Sequence, residues 1–192
     1  MGQDPPPERE FDEAEAYPLL EQAAADTIAA LPDFPGFESR RYLRPEDCGE
    51  TLGSEYEGWV AIEISYGFSG ENSALPLVRT DYTNLLRQIW EEAGFDVHRD
   101  SIDPETGNGS LEAERPDGVN LWWGVAKGVS LTLQTGCIPA TPDFDKPDYI
   151  SPAGGTVTTD HALAGDLMNP PGDSTTEAID PFATASESPT AG

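Results

Sequence analysis

Residues 119–135 constrain the fold more than any other stretch of the chain. Val119, Leu121, Trp123 and Val125 fall at alternate positions, Lys127-Gly128 breaks the run, and Val129, Leu131, Leu133 and Thr135 alternate again. A period of two is the signature of a strand with one buried face, because successive side chains point to opposite sides. A break of a few residues between two such runs leaves room only for a tight turn, hence antiparallel neighbours. Pro116-Asp117-Gly118 supplies another turn just upstream, with glycine where the backbone needs a positive φ. Ser110–Glu114 is the strand that this turn returns from. The C-terminal half of the folded part is therefore an antiparallel meander.

The same reading extends towards the N-terminus. Val60, Ile62, Ile64 and Tyr66 alternate as a further strand, and Phe37–Leu43 and Phe95–Arg99 read as shorter ones. Two stretches have helical spacing instead. Leu20, Ala24, Ile28 and Leu31 form a stripe that Pro32 ends. Asp12 with Glu15 three residues later resembles a capping box, and Pro18 is an alternative first-turn residue. The second helix spans about Leu75–Ala93, with Val78, Tyr82, Leu85, Leu86, Ile89 and Trp90 on one face and Gly94 as its C-terminal cap. Residues 67–74 read as a loop. The fold class is α+β: two helices on one face of an antiparallel sheet of about five to six strands.

The domain fills residues 12–140. Residues 1–11 form a Pro-rich acidic tether. Residues 141–192, rich in Asp, Thr, Pro, Gly and Ser, have few large apolar groups to offset ordering entropy and are expected to be disordered. The net charge of -26, from 36 acids against 10 bases, is spread over all three parts. It excludes nucleic acid as a partner, where Lys and Arg must displace phosphate counterions. A GC-rich genome or salt adaptation gives such a composition. Arg40, Arg41 and Arg44 are the only local basic cluster, expected to pair with the chain's own carboxylates.

Two cysteines, Cys48 and Cys137, sit at the ends of the first and last strands, among polar and turn residues. A disulfide between them is the favoured reading, with two free thiols in a cytosolic domain as the alternative. A zinc site would need four ligands, and the two histidines are far apart in sequence.

Candidate chemistry is sparse. His98 alternates with Val97 and Arg99 and is expected to face solvent. Asp103 and Glu114 have the first-to-twelfth spacing of a calcium loop, but Asn108 stands where that loop requires glycine. Asn108-Gly109-Ser110 fits a glycosylation sequon, a pattern common by chance. Trp122 and Trp123 are adjacent, so one faces inward and the other outward; Trp59, Trp122 and Trp123 are the candidate ligand platform. Glu63, Glu112 and Asp117 are the carboxylates that a hydrolase or sugar site would combine with it. No catalytic residue, metal ligand or cofactor is assigned.

Four segments together resemble a family of small actinobacterial cell-envelope lipoproteins. They are RRYLRPEDCG (40–49), TDYTNLLRQIWEEAGFDV (80–97), LEAERPDGVNLWW (111–123) and VSLTLQTGCIP (129–139). The resemblance covers about residues 20–140 and implies a place outside the cytoplasm, without implying an activity. It also implies that a lipid-modified Cys stands in the native protein where Met1 stands here, with the signal peptide removed. The chain would then be a non-enzymatic lipoprotein held at the outer face of the cell membrane. Its partner would be an unidentified envelope protein or glycan. The alternatives are a secreted sugar-binding protein or hydrolase, and a cytosolic acidic protein of a salt-adapted organism.

Overall fold

A computed structural model describes residues 10–43 and 58–145, together with the backbone of 159–161. The first helix, α1 (Glu13–Ala29), starts where Asp12 caps it: the Asp12 carboxylate accepts from the backbone N–H of Ala14 and Glu15, and Glu15 accepts from the N–H of Asp12. The helix thus begins before Pro18, which sits in its interior and forgoes one backbone bond. Leu20, Ala24, Ile28 and Leu31 are all buried, as their spacing requires. After β1 (Ser39–Leu43), the described chain resumes at Gly58.

The run from Trp59 to Tyr66 is two strands. Trp59–Val60 (β2) pairs with Ile138–Pro139 (β8) in a small sheet of its own. Glu63–Gly67 (β3) belongs to the main sheet. Between them the Ile62 N–H donates to Thr135 Oγ1 at 3.1 Å, so a side chain replaces a ladder bond at the break.

The expected loop at 67–74 contains one helical turn, α2 (Gly70–Ser73), capped by Ser69. The expected long helix starts with a wide π turn at Leu77–Asp81 and continues as α3 (Tyr82–Glu92). The buried residues explain the wide turn. Val78, Tyr82, Leu86 and Trp90 recur every four residues, more than the 3.6 of an α-turn. The π turn absorbs the excess of the first step, from Val78 to Tyr82. At the far end the Phe95 N–H bonds Trp90 O and the Gly94 N–H bonds Glu91 O, with Gly94 at φ 75°, a Schellman end.

The remaining strands are β4 (Asp96–Asp100), β5 (Gly109–Glu114), β6 (Asn120–Val125) and β7 (Val129–Gln134). With β9 (Thr159–His161) the main sheet runs β4-β5-β6-β7-β3-β1-β9. Six of these strands are antiparallel; β9 joins β1 in parallel. The protein is an α+β fold. Strand 159–161 lies inside the stretch expected to be without structure, and Thr141 is also engaged: its N–H donates to Glu13 Oε2 and its hydroxyl accepts from the Ala14 N–H. The ordered unit therefore passes residue 140.

One face of the main sheet is buried. Tyr42, Ile64, Tyr66, Leu111, Ala113, Leu121, Trp123, Val125, Val129, Leu131 and Leu133 share it, and their neighbours along each strand are half-buried. Helix residues touch this face: Trp123 Nε1 donates to Thr83 Oγ1 at 3.0 Å, and Tyr66 donates to Glu21. Among the described residues, no helix is long and apolar enough to cross a membrane.

Candidate functional site

A cleft of about 390 Å³ lies between the π turn with α3 and the loop that joins β4 to β5. From the helix side come Arg79, Thr80, Thr83, Asn84 and Arg87; from the loop come Ile102, Asp103 and Glu105. Spacings of four place Arg79, Thr83 and Arg87 on one helical face. Arg79 is the fixed point. Its Nη2 donates to Asn108 Oδ1 (2.5 Å) and Ala126 O (2.6 Å), and its Nη1 to Ser73 O (3.3 Å). All three acceptors are neutral oxygens, so the guanidinium fastens three turns without a carboxylate among the described residues. Arg87 instead pairs with Asp100 at 2.5 Å and with Asn84 Oδ1 at 2.9 Å. The Arg87 hydrogen bond holds the Asp100 carboxyl below its usual range.

The loop wall is pre-formed. Asp103 Oδ1 accepts from the N–H groups of Glu105 and Thr106 and from the Thr106 hydroxyl, and these bonds lower the Asp103 carboxyl below its ordinary value. That oxygen serves its own turn, which is what the Asp103–Glu114 spacing amounts to. Gly109 closes the loop at φ 140°; a Cβ there would lie 2.2 Å from Ser101 O. The Thr83 hydroxyl donates to Arg79 O and accepts from Trp123, so both of its roles are taken. The cleft offers donors and acceptors in fixed positions, which is the equipment of recognition of a polar ligand.

The residues singled out from the sequence are not gathered there. Trp123 is fully buried, which removes it from the proposed platform. The physical reason is its neighbours: it packs on Phe68 and Tyr82 and finds a partner for its N–H in Thr83. Trp122 is half-buried on the opposite face, paired across strands with Glu112 and Thr132, while Trp59 lies in the small sheet. Neither Trp59 nor Trp122 lines the cleft. His98 is exposed, its Nε2 3.8 Å from Glu112 Oε2. Glu112 also accepts from Ser110 at 2.7 Å. Asp117 is held by Arg115 at 2.8 Å. Glu63 lies 3.8 Å from Arg41, and burial pushes its carboxyl up while Arg41 pulls it back. Cys137 is disulfide-bonded; Cys48, the other cysteine of the chain, and Arg44 lie outside the described residues.

A second cluster realises part of the expected pairing of the basic cluster with the chain's own carboxylates, but in the core rather than at the surface. Arg40 is fully buried and donates to Glu21 and to the Tyr17 hydroxyl at 2.8 Å, with the Tyr17 and Tyr66 rings about its guanidinium. Desolvation works against the Arg40 charge, and Glu21 overcomes it, so its basicity rises. The signal for burial was an arginine at an inward position of the Arg40–Tyr42 alternation. Among known proteins, no family model, curated protein or solved structure matches the chain.

Proposed function

We propose that this chain is an extracytoplasmic lipoprotein, held at the outer face of the membrane by lipid at its N-terminus, and that it works by binding rather than by catalysis. The observation that carries the reading is the disulfide-bonded Cys137. Disulfides persist in oxidising compartments and are rare where glutathione keeps thiols reduced. With two cysteines in the chain, the bridge would run to Cys48 and tie the stretch after β1 to the turn between β7 and β8. The four lipoprotein-like segments point to the same place.

In this reading α1 and α3 together cover the buried face of the main sheet. The Arg79 cleft and the polar outer face remain for an envelope protein or glycan. The cleft supports binding over chemistry because the Thr83 hydroxyl is doubly engaged and Asp103 Oδ1 is bound by its own turn. The test is to express the native gene in an actinobacterial host fed an alkyne-tagged fatty acid. The expected result is a labelled protein in the membrane fraction that protease removes from intact spheroplasts. An unlabelled protein, or one protected from protease until lysis, would refute the anchoring.

A further inference from the structure

In a chain with 36 acids and 10 bases, an arginine without a carboxylate stands out. Arg40, Arg41, Arg87, Arg99 and Arg115 are each paired with one. Among the described residues, Arg79 is the arginine that is not. It is half-buried and turned towards three neutral oxygens, on Ser73, Asn108 and Ala126. A guanidinium has five N–H donors, so its Nε–H and one N–H of Nη1 are left without an acceptor among the described residues. Two carboxylates, Asp103 and Glu105, line the same cleft. Asp103 spends Oδ1 on its own turn and keeps Oδ2 clear, and the exposed Glu105 carboxylate takes no described partner. None of the described ion pairs joins Arg79 to either of them. Arg79 and Asp103 are each fixed by hydrogen bonds to other groups, so the opposite charges share one cleft without neutralising each other.

We infer that the cleft takes a small zwitterion, a free amino acid or short peptide, with its carboxylate on Arg79 and its ammonium on Asp103 and Glu105. A simple anion would gain Arg79 but meet two carboxylates and a net charge of -26. A simple cation would gain the carboxylates but meet Arg79. A molecule that carries both charges suits both. The cleft volume of about 390 Å³ is near the small end of ligand sites, which run to about 300–1,000 Å³. That size fits an amino acid or dipeptide rather than a folded partner. The inference rests on the reading of the cleft as a binding site and narrows its occupant; membrane anchoring is independent of it.

The test titrates the isotope-labelled full chain with three probes and follows its amide resonances. The probes are alanyl-alanine, its N-acetyl form, which lacks the ammonium, and its C-terminal amide, which lacks the carboxylate. The expected result is saturable shifts from alanyl-alanine at residues 79–87 and 101–108, with either blocked form about tenfold weaker or worse. Arg79→Gln should abolish the preference for the free carboxylate. Because Arg79 also fastens three turns, a second variant is needed that leaves them alone. Asp103→Asn with Glu105→Gln keeps the side-chain oxygen that caps the turn and removes both charges. It should bind alanyl-alanine and the N-acetyl form equally while still preferring both to the amide. Equal binding of all three probes by the parent would overturn the zwitterion and leave the cleft a binding site. Absence of saturable shifts with every probe, or an unchanged ammonium preference in the double variant, would also overturn the inference. None of these results bears on fatty-acid labelling, which tests the anchoring separately.

Discussion

At the scale of single residues, Arg40 shows what a buried charge requires. Its stem enters the core at a position where Tyr42 and Tyr66 are the neighbours in kind, and Glu21 and Tyr17 are there to receive it. Breaking such a pair from one side leaves an uncompensated buried charge, whereas replacing both ends with apolar groups is often neutral. Arg40→Met is therefore expected to cost about 3–5 kcal/mol, and Arg40→Met with Glu21→Met to recover most of it; urea unfolding of both proteins decides this. Glu63 is the opposite case. Its folded carboxyl titrates above the ordinary value because burial disfavours the anion. The folded state then binds the proton more tightly than the unfolded chain, so this contribution is fully present below the unfolded pKa and is lost as pH rises through the folded one. Glu63→Gln should raise the thermal midpoint at pH 7, and the gap should close on acidification to pH 4. A gap of the same size at both pH values would contradict the assignment.

At the scale of elements, legibility followed how local the cause was. The capping box of α1 and the Gly94 end of α3 use neighbouring residues, and both were readable as they stand. The meander from Ser110 to Thr135 was readable because alternation and turn residues agreed. The π turn was not, since Val78 and Tyr82 fit a helical stripe equally well, and only tertiary alignment with Leu86 and Trp90 demands the extra width. The break between β2 and β3 was hidden for a related reason: Val60, Ile62 and Ile64 keep alternating across it, and Thr135, 73 residues away, supplies the bond that marks it. The cleft was invisible in the sequence because Arg79 reaches acceptors in three separate turns. Two expectations test the loop wall. Gly109→Ala should destabilise the protein by at least about 2 kcal/mol, since the new methyl meets Ser101 backbone at a positive φ. Gly124→Ala, where the nearest atom is Ser130 Oγ at 3.4 Å, should change stability by less than about 1 kcal/mol. Equal effects in chemical denaturation would show that the loop is not constrained as described.

At the scale of the whole molecule, the charge of -26 and the long acidic C-terminal stretch work against compaction, and the sheet has a buried face to set against them. A crosslink from Cys48 to Cys137 would close a long loop and contribute about 4–5 kcal/mol in the chain-entropy model. Cys137→Ser is accordingly expected to lower stability by several kcal/mol, and reductant to lower the parent to a similar level. The sheet and the turns fit either compartment; the oxidation state of two sulfur atoms does not. The direct measurement is the intact mass of protein taken from its native host, denatured and alkylated without reductant. The account predicts no alkyl adduct, and two adducts once reductant is added first. Two adducts without reductant would show free thiols and contradict both the bridge and the extracytoplasmic placement drawn from it.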